Sequence, residues 1–151
     1  MNSNNRAPES KSAKIFMYFW IFMTCAMALF GLLFLILNPI GGILFVAFDI
    51  FMMCFGVKSL TFFINKRDRL YNICQNPSEQ AAKEYLEYCR QNKPKLYTEA
   101  NHPNNWNKLR DYWYKINGSN KIPTYLKAEI LESLKKDGLY VKETIVDNYN
   151  R

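Results

Sequence analysis

IFMYFWIFMTCAMALFGLLFLIL, residues Ile15 to Leu37, is the stretch on which the fold turns. Its twenty-three residues carry no charge, and only Thr24 and Cys25 are mildly polar. At about 1.5 Å per residue, a helix of this length spans roughly 35 Å, enough to cross a hydrocarbon layer of about 30 Å with some tilt. A cleavable leader is the competing reading. The run is too long for a leader's apolar region, and no small-x-small cleavage signal ends it. Lipid modification at Cys25 fails as well, because Thr24 is not the small residue such sites need and the apolar run continues past it.

Asn38-Pro39 follows and breaks the ladder, and Gly41-Gly42 lets the chain reverse. A second apolar stretch runs from Ile40 to Val57, interrupted only by Asp49; Lys58 comes next, and Ser59 to Ile64 is apolar again. Lys58 falls roughly 28 Å along a helix begun at Pro39, where its stem can snorkel to an interface. The expected architecture is a mainly α membrane protein. Transmembrane helices at 15–37 and 43–65 are joined by a tight extracytoplasmic turn at 38–42, preceded by a disordered polar tail at 1–14. Arg6, Lys11 and Lys14 precede the first helix, Lys58, Lys66, Arg67 and Arg69 lie at the far end of the second, and the turn has no cation. Positive charge stays inside, so both termini are expected in the cytoplasm, most naturally of a bacterial inner membrane.

The aromatic residues mark a change of solvent near residue 65. All eleven Phe lie between Phe16 and Phe63, whereas nine of the ten Tyr lie at Tyr71 or later. Phe has no polar end to satisfy, while Tyr suits a place with one wet side. From Lys66 onward sixteen Lys and Arg face eleven Asp and Glu, so residues 66–151 form a basic domain. That surplus is compatible with anionic lipid or nucleic acid and demonstrates neither.

Within 66–151 the pattern is mostly helical. Lys66 to Cys74 extends the second membrane helix or lies along the surface. Asn76-Pro77-Ser78-Glu79 reads as a helix start with a capping Asn, and the helix is expected from Pro77 to Gln91, with Ala81, Tyr85, Tyr88 and Cys89 near one face. Residues 95–103 read as loop. A helix capped by Asn104 or Asn105 places Trp106, Leu109, Trp113 and Ile116 on one stripe and stops at Gly118. Another, Pro123 to Asp137, has Leu126, Ile130 and Leu134 on one stripe. Leu139 to Val146 is rich in β-branched residues and is expected to form one C-terminal strand, pairing with 95–99 or with another chain.

Asp49 is the most informative polar residue. Near a bilayer midplane an aspartate costs about 2.5–3.5 kcal/mol on insertion scales. Gly42 and Gly56 flank it seven residues away on each side, on nearly the same face. Ala28 is level with it on the antiparallel partner, with Thr24 and Gly31 nearby, so these six residues form the expected helix-packing face. Three readings of Asp49 remain open: a hydrogen bond within the hairpin, with Thr24 as donor, or a protonated carboxyl; a group in another subunit; or a proton or ion path in an oligomer. Lys58, Lys66, Arg67 and Arg69 are candidates for anionic-lipid contact or for setting topology. Lys108, Arg110, Tyr112 and Lys115, in the aromatic-basic segment Trp106–Lys115, are the candidate partner surface. That mixture also suits single-stranded nucleic acid.

No phosphate-binding glycine loop, nucleophile elbow or HExxH occurs. Cys25, Cys54, Cys74 and Cys89 have no CxxC spacing, and His102 is the single histidine, so neither a metal, a cofactor nor catalysis is expected. The sequence reads as a membrane-anchored interaction or accessory subunit, with immunity or regulatory proteins as variants. Its expected partners are membrane lipids and either another membrane subunit or further copies of itself. The alternative is a membrane-tethered nucleic-acid-binding module.

Overall fold

The computed structural model describes residues 7–94, 106–136, 139 and 144–150. Five helices make up the described chain: α1 (Pro8–Leu37), α2 (Pro39–Gln75), α3 (Glu79–Asn92), α4 (Trp106–Gly118) and α5 (Thr124–Lys136). The chain divides into two compact units, Pro8–Ile64 and Asn65–Arg151, the latter together with Met1–Ala7.

The first unit holds α1 and most of α2, both long and apolar enough to cross a membrane. Contacts between them run in step, one index rising as the other falls: Gly42 against Leu35, Gly31 against Val46, Gly56 against Trp20. Thr61 Oγ1 approaches Met17 Sδ at 3.8 Å, and Ser10 Oγ donates to the Ile64 carbonyl at 3.2 Å. This register is that of an antiparallel hairpin. The reversal is tighter than the expected turn at 38–42, because only Asn38 lies outside the helices. Asn38 N donates to the Phe34 carbonyl at 2.9 Å, closing α1, while Asn38 Oδ1 accepts from Gly41 N at 3.1 Å, opening α2. Pro39 then sits at the first helical position, where its missing N–H is no loss.

The expected disordered tail is shorter than 1–14. Residues 1–6 lie outside the described residues, but Pro8 to Lys14 is helical, with Pro8 again at a first helical position.

The second unit has one core. It is built from Leu70 and Ile73 at the end of α2, Tyr85 and Leu86 of α3, Leu109, Trp113 and Ile116 of α4, and Leu126, Ile130 and Leu134 of α5. Helix α5 packs against both α3 and α4, and Arg90 Nη2 joins Glu129 Oε2 at 2.6 Å from α3 to α5. The start of α3 differs from the expected one. Ser78, not Asn76, is the cap: its backbone is extended and its hydroxyl accepts from Ala81 N at 3.1 Å, so the helix begins at Glu79.

No strand occurs among the described residues. Leu139 and Thr144–Val146 of the expected strand are not in a ladder, and residues 140–143 and the expected pairing segment 95–99 lie outside the described residues. The physical reason is a side chain standing in for a strand. Asn117 Nδ2 donates to the Thr144 carbonyl at 2.7 Å, and Asn117 Oδ1 accepts from Val146 N at 2.9 Å. One carboxamide thus satisfies the groups a neighbouring strand would have taken. The expected loop with His102, the caps Asn104 and Asn105, the stop at Asp137-Gly138 and the Trp106 side chain also lie outside the described residues.

Candidate functional site

The seam of the hairpin is set by its glycines. A Cβ at Gly42 would stand 2.7 Å from the Leu35 backbone, one at Gly31 2.8 Å from the Phe45 ring, and one at Gly56 2.5 Å from Trp20 Nε1. Each of the three lets the opposite helix approach where a methyl group would collide. Asp49 shares the face of Gly42 and Gly56 and is half-buried. Reading the register inward from Gly31–Val46 and from Trp20–Gly56 places it level with Met27 and Ala28 of α1.

The expected donor to Asp49 is committed elsewhere. Thr24 Oγ1 lies 3.0 Å from the Trp20 carbonyl and 3.0 Å from the Ile21 carbonyl, so its proton is spent on its own helix. Among the described residues the Asp49 carboxylate makes no hydrogen bond or ion pair. Two further polar atoms of the unit, Trp20 Nε1 and Ser59 Oγ, are buried without a hydrogen bond.

No protein-family model, curated protein or solved structure matches the chain. Function must therefore be argued from the residues themselves.

The basic residues separate. Lys58 is exposed. Lys66 and Arg67, expected at the lipid surface, are instead buried, at 1% exposure each. The adjacent Asp68 is buried too and accepts from Ala7 N at 3.0 Å. Arg69 lies over the Tyr88 ring, 4.6 Å from its centroid. The reason is that α2 does not end with its apolar stretch. It continues for ten residues to Gln75, and this part of the helix carries core residues of the second unit.

In α4 the expected surface also divides. Lys108, Arg110 and Lys115 are exposed, and Tyr114 is exposed beside them. Tyr112 is a correction: it is buried, meets Tyr71 edge-on at 6.0 Å between ring centroids, and its carbonyl accepts from Cys74 Sγ at 3.6 Å. The helical period places it between Leu109 and Ile116, on the core side. Burial pushes the Cys74 thiol, beyond the apolar stretch of α2, up to about 12, partly offset by the charge of Lys115. It is a packing residue rather than a nucleophile. All four cysteines are free. Among the described residues no cluster of three or more His, Cys, Asp or Glu could hold a metal ion.

Between α3 and α5 lies an open groove of about 490 Å³, walled by Lys83, Glu87, Arg90, Tyr125 and Glu129 among others. Its ion pair, Arg90–Glu129, is largely solvated.

One cluster escaped the sequence reading. Lys127 is fully buried, and its Nζ donates to the Val146 carbonyl at 2.8 Å and to Asn148 Oδ1 at 2.7 Å. Thr124 Oγ1 donates to Asp147 Oδ1 at 2.8 Å, and Asn148 Nδ2 donates to the Gly118 carbonyl at 2.9 Å. With Asn117, these groups fasten residues 144–148 onto α4 and α5. A signal was present: Lys127 lies on the stripe of Ile130, Leu131 and Leu134, and Asn117 continues the line of Leu109 and Trp113. A polar residue on an apolar stripe marks a partner to be sought.

Proposed function

We propose that this chain is a membrane-anchored interaction or accessory subunit of the bacterial inner-membrane type. Its hairpin lies in the bilayer, both termini are cytoplasmic, and the second unit is held at the cytoplasmic face for a partner. An immunity or regulatory protein is a variant of the same reading. The observation that carries it is the exposure of the two apolar helices. In the most apolar window of each, only 11% (α1) and 6% (α2) of residues are buried. A core helix of a water-soluble protein would be mostly buried. Here Phe22, Phe30, Ile36, Leu37 and Ile40 are each more than two-thirds exposed. Contiguous apolar surface of that extent calls for lipid or another protein. The glycine seam between α1 and α2 supports a paired hairpin over a leader destined for removal. The cation pattern supports the orientation.

The test is fractionation of the full chain, followed by reporter fusions at each terminus. The protein should stay with membranes through alkaline carbonate washing, and a fluorescent protein at either end should be bright while a phosphatase there is inactive. Release by carbonate would end the membrane reading, and an active C-terminal phosphatase would end the orientation.

A second reading, nucleic-acid binding, has one observation in its favour: Tyr114 is exposed among Arg110 and Lys115, a ring available for stacking beside two cations. Binding of the full protein in detergent to single-stranded DNA or RNA, weakened by salt and by Tyr114→Ala, would support it. Absence of binding at low salt would remove it.

A further inference from the structure

Asp49 is an ionisable group in the middle of an apolar hairpin whose potential internal donor is already used. Thr24 donates to its own helix, and no described residue pairs with the carboxylate. The sequence contains no Lys or Arg between Lys14 and Lys58. A second copy of this chain therefore brings no cation to that depth; it brings only another Asp49. An isolated carboxylate in hydrocarbon is costly, and the cost falls sharply when a cation with hydrogen-bond donors meets it.

The shape of the hairpin at this level points the same way. At the level of Asp49 the face of α1 toward α2 is small: Thr24 and Ala28 lie on it and Cys25 at its edge, in a stretch rich in Phe, Leu, Ile and Met. Cys25, at the edge of that face, is exposed, and Asp49 itself keeps part of its surface open. A third helix can come close on the Cys25 side of the seam.

We propose that Asp49 is the docking point for a transmembrane helix of a different protein, one that carries a Lys or Arg at mid-depth. This rests on the membrane reading above and names its partner by chemistry. The pair neutralises both charges within the apolar layer, so each protein is poorly accommodated alone and well accommodated together.

The experiment uses the full-length protein, donor-labelled at its N-terminus, in phosphatidylcholine vesicles. Acceptor-labelled synthetic Leu-rich helices of about 20 residues, with a central Lys, Leu or Asp, are the probes. Energy transfer reports association, and quenching of Trp20 fluorescence by bromolipid reports insertion. The wild-type protein should associate about tenfold more tightly with the Lys-centred helix than with the Leu-centred one. Asp49→Asn, close in shape, should lose most of that preference, and Asp49→Lys should prefer the Asp-centred helix instead. Equal association of wild type with Lys-centred and Leu-centred probes would overturn the proposal while leaving the membrane reading intact. Self-association without any probe, lost in Asp49→Asn, would name a second copy as the occupant and overturn it too. Failure of the wild type to insert would remove the membrane reading and this proposal together.

Discussion

At the scale of single residues, the hairpin depends on what is missing. Gly56 faces the Trp20 indole so closely that any side chain must displace a ring rather than a flexible end. Gly56→Leu should destabilise the pairing of α1 and α2 by about 1–3 kcal/mol. Val57→Leu, one position round the helix, should have little effect. Thermal unfolding of the two variants in mild detergent separates them, and equal melting would mean that the seam is not formed there. In the second unit the decisive single residue is Lys127. Burial holds its ammonium below the ordinary lysine value, opposed in part by the charge of Asp147. The folded chain therefore binds fewer protons than the unfolded chain in the window below an unfolded pKa of about 10.4, and its stability rises with pH through that window. Wild type should gain on Lys127→Met between about pH 8 and pH 10 in urea unfolding. A gap that does not change with pH would show that the ammonium is solvated.

At the scale of elements, helix starts decide more than helix interiors. Asn38 and Ser78 each place a side-chain oxygen on an early amide of the following helix. Ser78→Ala should cost about 1 kcal/mol, and Asn76→Ala, at the cap expected from the sequence, should cost much less. Chemical denaturation of the two variants checks this, with a larger loss for Asn76→Ala as the contrary result. The C-terminal segment is an element of another kind. It has no regular secondary structure and is paired to side chains, so its attachment rests on Asn117 and Lys127 rather than on a ladder. Asn117→Ala leaves the Thr144 carbonyl and the Val146 amide without their partner, a loss of about 1–3 kcal/mol. Faster amide exchange at Val146 would be its signature, and unchanged exchange would show that the segment is held by its other contacts.

At the scale of the whole molecule, the division at Asn65 says where the chain can be cut. Leu70 and Ile73 belong to the core of the second unit although they lie on α2. A fragment of residues 65–151 should therefore be helical and melt cooperatively. A cut just after Ile73 should abolish the transition, because about 80 residues is near the lower limit for a core without disulfide or metal. The Cys74 thiol gives a second readout. With its pKa at about 12, it should resist alkylation near neutral pH in the folded 65–151 fragment and react once unfolded. Rapid native labelling at Cys74, against a Cys74→Ser control, would contradict the packing described.

The helices and their stripes were legible in sequence because burial in a helix imposes a period of 3.6, and Leu109, Trp113, Ile116, Leu126, Ile130 and Leu134 carry it in plain order. Two helices long and apolar enough to span a membrane followed from composition alone, since length and lack of charge are local properties. Pairing was not local. Whether Thr24 faces Asp49 or its own carbonyls, whether Lys66 and Arg67 meet solvent or are buried, and whether Leu139–Val146 finds a strand or a side chain depend on groups distant in sequence. The alternation of β-branched residues at the C-terminus states a preference for extended backbone; it does not state who supplies the hydrogen bonds. In this chain Asn117 supplies them, twenty-seven and twenty-nine residues away, and only the tertiary structure brings that amide within reach.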